Sequence, residues 1–81
     1  MMISFVASCF YDMEIKDLNV NEVIIGENIW NGILKVSNRI LGTTWDKKYL
    51  WGAKIIVNKT SVNSVTVKNL DNNVVITRNK I

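Results

Sequence analysis

Apolar residues recur with a helical period in the stretch Asn28 to Leu41. Ile29, Ile33, Val36 and Ile40 stack along one line of a 3.6-residue wheel, with Trp30, Leu34 and Leu41 on its flank, and Asn31, Lys35, Asn38 and Arg39 fall opposite. Asn28 is a good N-cap type, Glu27 and Arg39 suit the two ends of the helix dipole, and Gly42 is placed to stop the helix in the left-handed conformation. Gly32 is the weak interior position, or the point where the helix comes close to the sheet.

The rest of the chain reads as strand and turn. Ile3, Phe5, Ala7, Cys9 and Tyr11 alternate with Ser4, Val6, Ser8, Phe10 and Asp12, which predicts a first strand with one fully apolar face. The parity slips at Asp17–Leu18, as a bulge or turn between Asp17 and Asn21 would produce. Glu22 to Ile25 is a short β-branched run closed by Gly26. Thr44–Trp51 and Ala53–Asn58 read as two strands, or one broken at Gly52. Ser61–Asn69 and Asn73–Arg78 form the clearest hairpin, with Val65 and Val67 opposing Val74 and Ile76. The expected architecture is therefore α+β: an antiparallel sheet of about five strands with one amphipathic helix, residues 28–41, on one face. An all-β SH3-like or Sm-like small barrel is the alternative, reached if Trp30–Val36 were a strand. The adjacent apolar pairs Ile29–Trp30 and Ile33–Leu34 count against it.

Length and composition narrow this picture to one small folded domain spanning residues 1–81. At 81 residues with 48% apolar and 21% charged side chains, the chain is too apolar for disorder and too short for more than one core. A single cysteine, Cys9, excludes an internal disulfide. No apolar run approaches the roughly 20 residues a membrane helix needs. Val6-Ala7-Ser8-Cys9 matches the short consensus of a lipoprotein cleavage site, but no charged segment precedes it and the apolar part before it is brief. A cytoplasmic protein with no membrane partner is the expectation. Enrichment in Asn, Ile and Lys, whose codons are AT-rich, points to an AT-rich genome such as that of a low-GC bacterium, its phage or another mobile element.

Charge is distributed unevenly along the chain. Up to Leu34 there are five acidic residues and one basic; from Lys35 onward there are nine basic and two acidic. Such polarity marks a nucleic-acid surface or a contact between copies of the chain, a homo-oligomer, unless folding mixes the two halves.

Candidate chemistry is sparse. Histidine is absent, removing the commonest general base and metal ligand. Cys9 lies in an apolar segment without a base to activate it. Asp12, Glu14 and Asp17 lack the closely spaced oxygen ligands of a cation loop and read as a solvated edge. No phosphate loop or zinc spacing is present, so neither an enzyme, a metal nor a cofactor is expected.

The most suggestive surface is Thr43–Lys54 (TTWDKKYLWGAK), where Trp45, Tyr49 and Trp51 interleave with Lys47, Lys48 and Lys54. On an extended strand Trp45, Lys47, Tyr49 and Trp51 share one face. Covered by the helix, the rings are core, the preferred reading in a domain that needs its few aromatics inside. Exposed, they would dock a protein or stack nucleic-acid bases while the lysines meet phosphates. The expected function is a non-enzymatic small binding module, phage or mobile-element encoded, that docks on a host protein and inhibits it. The alternatives are a nucleic-acid-binding protein using the basic-aromatic strand, and an oligomer that sequesters a small anion or nucleotide. The C-terminal segment Asn73–Ile81 offers a further edge for pairing with a partner's sheet.

Overall fold

The computed structural model describes residues 2–36 and 42–81. Elements run in the order α1 (Met2–Glu14), β1 (Glu22–Gly26), α2 (Glu27–Val36), β2 (Tyr49–Leu50), β3 (Ala53–Asn58), β4 (Ser64–Asn69) and β5 (Val74–Asn79). The fold is α+β, as expected from the sequence, with a single five-stranded sheet in the order β2-β3-β1-β4-β5. The barrel does not form.

Two features depart from the expected architecture. The sheet is mixed: β1 lies parallel to β3 with Glu22 opposite Lys54, and antiparallel to β4 with Glu22 opposite Lys68. A helix crosses over between β1 and β3, and such a connection is what brings two strands into parallel register. The other departure is that the first segment is a helix. Val6, Cys9 and Met13 are fully buried, and Ser4, Ala7, Tyr11 and Glu14 are exposed, two opposed sets that each recur every three to four residues. Apolar residues at both parities of Ile3–Tyr11 imitate a buried strand. Only the helix, however, places the small and polar residues together on the outside.

The parity slip at Asp17 is the end of α1. The Leu18 N–H donates to the Met13 carbonyl at 3.1 Å and the Asp17 N–H to the Glu14 carbonyl at 2.9 Å, with Asp17 at φ 58°. This is a Schellman stop with Asp in the left-handed position usually held by Gly.

α2 follows β1 without a loop. Gly26 allows this, because a Cβ there would collide with the Val62 carbonyl of the segment passing over it. The Asn28 N–H donates to that same carbonyl at 3.0 Å. Ile29, Trp30 and Ile33 are buried as the helical pattern predicts. Gly32 meets the Met2 side chain of α1, so its missing side chain serves helix–helix contact and not an approach to the sheet. The expected continuation through Arg39, Ile40 and Leu41 lies outside the described residues.

Both helices cover one face of the sheet. Beneath them lie Val23 and Ile25 of β1, Leu50 of β2, Ala53 of β3, and Val65 and Val67 of β4, all fully buried. A bidentate contact from Arg78 Nε and Nη2 to the two carboxylate oxygens of Asp12, both at 2.6 Å, ties β5 to α1. Among the described residues the opposite face carries no helix. Across it run Tyr49, Lys54, Glu22, Lys68 and Val75 in one row of register partners, and Ile56, Ile24, Thr66 and Thr77 in the next.

Folding therefore mixes part of the charge asymmetry. Arg78 meets Asp12, and Lys68 meets Glu22 at 3.7 Å. Lys47, Lys48 and Lys54 make no ion pair among the described residues.

Candidate functional site

The segment 42–54 is a three-limbed meander. Residues 42–44 run antiparallel to β2, with Thr43 bridged to Leu50, the Thr44 N–H donating to the Tyr49 carbonyl at 3.0 Å and the Trp51 N–H to the Gly42 carbonyl at 2.8 Å. β2 then turns into β3 through Trp51 and Gly52, pairing Leu50 with Ala53 and Tyr49 with Lys54.

At the first turn the chain is cinched by one carboxylate. The Thr44 hydroxyl donates to Asp46 Oδ1 and accepts the Tyr49 N–H at 3.2 Å, and the Lys48 N–H donates to the same Asp46 oxygen at 3.1 Å. The Lys47 N–H closes the turn onto the Thr44 carbonyl at 2.9 Å, with Lys47 itself at φ 59°. The Thr44 hydroxyl, and after it the Lys48 N–H, hold the Asp46 carboxyl below the usual carboxylate range. Thr44, Asp46, Lys47, Lys48 and Tyr49 are thereby fixed in a compact tip. At its apex Trp45 is 94% exposed, with Lys47 and Lys48 also exposed beside it.

The second turn is built differently. Trp51 has φ 48° and Gly52 φ 83°, the pair of positive values that a two-residue hairpin of type I′ requires. Glycine and asparagine take that conformation at little cost, and a bulky aromatic residue does not. The Trp51 ring is oriented by its neighbours: its Nε1 edge lies against Gly42, where a Cβ would collide with it, and its centroid stands 5.0 Å from that of Phe10 in an edge-to-face pair. Trp51 nonetheless remains 42% exposed.

The six residues singled out from the sequence thus occupy one meander and do not share one face. Trp45, Lys47 and Lys48 belong to the tip, Tyr49 and Lys54 to the open face of the sheet, and Trp51 to the far turn, leaning toward α1. The expected strand from Thr44 shrinks to Tyr49–Leu50, because the Thr44–Asp46 hydrogen bonds fold the preceding residues into a turn. The preference for the three rings as core is overturned, since none is buried: Tyr49 is 45% exposed, and the core aromatic is Trp30 of α2.

Sequence reasoning overlooked Phe10 as a site residue and took Glu14 for part of a solvated edge. One helical turn apart, they line a groove of about 540 Å³ together with Trp51, Gly52, Leu18, Asn19 and Val20. Their i, i+4 spacing is the signal, and it is invisible as long as the segment is read as a strand.

Elsewhere the described residues offer little chemistry. Cys9 is buried, and burial pushes its thiol up, away from the nucleophilic thiolate. Among the described residues no group of carboxylates and thiol is gathered closely enough to hold a metal ion, and no helix is long and apolar enough to cross a membrane. Comparison with protein-family models, with curated proteins and with solved structures finds no match to this chain.

Proposed function

We propose that the chain is a non-enzymatic binding module that docks on another protein through the 42–54 meander, with Trp45 as the anchor. The observation that carries this reading is a tryptophan 94% exposed on a tip held by its own hydrogen bonds. Indole exposed in this way contributes nothing to the core, whereas a rigid aromatic anchor entering a partner's pocket is the feature that dominates interface energetics. The hydrogen-bonded tip lowers the entropy lost on docking. The lack of histidine and the buried, raised thiol of Cys9 favour binding over catalysis. The enrichment in Asn, Ile and Lys, whose codons are AT-rich, supports a phage or mobile-element origin, and such an origin favours inhibition of a host protein by occlusion.

The test is capture from a host lysate with the intact chain and with Trp45→Ala, followed by affinity measurement on the retained protein. The expected result is a partner bound by the wild type, resistant to nuclease, and weakened at least ~30-fold by the substitution, the loss of a hot-spot residue. Equal retention by the two proteins overturns the reading.

A second reading rests on the lysines. Lys47 and Lys48 flank Trp45, while Lys54 and Lys68 share a row with Tyr49 on the open sheet face, an arrangement in which bases stack and phosphates are neutralised. It requires binding to single-stranded oligonucleotides that falls steeply with salt and is lost on Lys47→Glu with Lys48→Glu. Absence of binding at low salt excludes it.

A further inference from the structure

We infer that the groove between α1 and the Trp51–Gly52 turn is a receptor for an arginine side chain of the docked protein; this rests on the protein-docking reading above. The groove, of about 540 Å³, combines three kinds of surface. Phe10 and Trp51 supply aromatic walls set edge to face at 86°, Leu18 and Val20 supply aliphatic ones, and Glu14 is the one charged residue among those lining it. Glu14 has no ion pair or side-chain hydrogen bond among the described residues. Asp12, by contrast, is fully engaged by Arg78.

Arginine is the side chain that matches all three surfaces. Its guanidinium stacks on aromatic rings and meets a carboxylate through two parallel hydrogen bonds, and its three-carbon stem packs on aliphatic groups. A neutral ligand would leave the Glu14 carboxylate unused, and an anion would be repelled by it. Lysine offers the charge without the plane. The indole is held ready for this role: Gly42 fixes one edge, Phe10 meets the ring, and the left-handed backbone of Trp51 presents it at the turn. The Trp45 tip precedes the two-residue edge strand β2 and Trp51 follows it, so the anchor and one wall of the groove flank the same edge strand.

The experiment is an NMR titration of the isotopically labelled full chain with N-acetyl-arginine N-methylamide, alongside its neutral citrulline counterpart, the lysine analogue and the diamine putrescine. The Trp51 indole N–H signal is expected to move with arginine at a dissociation constant on the order of 1–10 mM, with Trp30 and Trp45 unmoved. Citrulline and lysine are expected to bind at least fivefold more weakly, and Glu14→Gln to weaken arginine at least tenfold with the Trp30 signal unchanged as proof of folding. The inference is overturned if 100 mM arginine amide leaves the Trp51 signal still, if citrulline binds equally, or if Glu14→Gln has no effect. Tighter binding of putrescine than of arginine overturns it too, by making the groove a small-amine site. Trp45→Ala is not used in this titration, so failure of the groove and failure of the Trp45 anchor are read separately.

Discussion

The two hairpins of the sheet differ in the side chains they keep outside the core and in how their turns are held. In β4–β5, Val65 and Val67 are fully buried and Val67 opposes Ile76, which packs against the same core. In the meander that ends in β2–β3, Leu50 and Ala53 alone reach the core as fully buried residues, and Trp45, Tyr49 and Trp51 stay on the surface. The turns differ likewise. The β4–β5 turn is tied down by Asn69, whose amide donates to the Asn19 carbonyl at 2.6 Å while its oxygen accepts the Asn72 N–H at 2.8 Å. The β2–β3 turn carries a tryptophan where asparagine would sit more easily. The β4–β5 hairpin places Val65, Val67 and Ile76 in or against this molecule's core and leaves Val75 and Leu70 outside. The meander leaves three large aromatic side chains outside, of which Trp51 alone has a ring contact among the described residues, to Phe10. That contrast is the physical case for a binding surface.

Substitutions can break the comparison, and the largest effects belong to β4–β5. Val67→Ala leaves a cavity in the middle of the core and is expected to lower unfolding stability by about 2–3 kcal/mol in a urea melt. Trp45→Ala in the same assay should stay within about 0.5 kcal/mol despite removing a far larger side chain. A Trp45→Ala loss as large as that of Val67→Ala would make the tip structural. Asn69→Ala comes next. It deprives the Asn19 carbonyl and the Asn72 N–H of their partner at a position only 3% exposed, for an expected loss of about 1–3 kcal/mol.

Trp51→Asn should change stability by less than about 1 kcal/mol, because relief of the left-handed strain offsets the lost ring contact with Phe10. A larger loss by calorimetry would show that the indole is there for the fold. The smallest effect is one of pH. The Asp46 carboxyl is held low by Thr44 and then Lys48, so its contribution to the tip is complete above the ordinary carboxylate pKa and disappears as pH falls through the lowered folded value. The Lys48 amide resonance should therefore titrate at a pH below the pKa of an ordinary aspartate, and in Asp46→Asn it should stay flat through the same range.

Legibility in the sequence followed the contrast between local and non-local causes. The β4–β5 hairpin could be read because alternation and a short turn are local signals, and Val67 does oppose Ile76. Val65, however, pairs with Arg78 and Val74 with Asn69, a register that alternation alone does not specify. The buried line Ile29–Ile33 was equally plain, since a helix writes its period into adjacent turns. Met2–Glu14 was misread because nearly every residue from Ile3 to Tyr11 is apolar or small, which satisfies period 2 as well as period 3.6. Exposure of Ser4, Ala7, Tyr11 and Glu14 depends on where the sheet lies. The parallel pairing of β1 with β3 left no local mark at all.

As for the site, composition brought Trp45, Lys47, Lys48, Tyr49, Trp51 and Lys54 to notice, but their division among a tip, a sheet face and a turn came from Thr44 and Asp46. Side-chain hydrogen bonds can replace several residues of expected strand with a turn, here Thr44 to Lys48, and short polar residues carry that choice ambiguously.

The central strand has a consequence for how the chain is made. β1 leaves the ribosome before both of the strands that flank it, β3 and β4, with Glu22 awaiting Lys54 and then Lys68. Until the chain has been extended past those residues, Val23, Ile24 and Ile25 have no strand to pair with and no completed core to enter. Such late closure makes folding of the sheet slow relative to its two helices. The nascent protein therefore passes through a stage in which its most apolar strand is displayed to whatever is nearby, and translation speed between Gly26 and Lys68 sets how long that stage lasts.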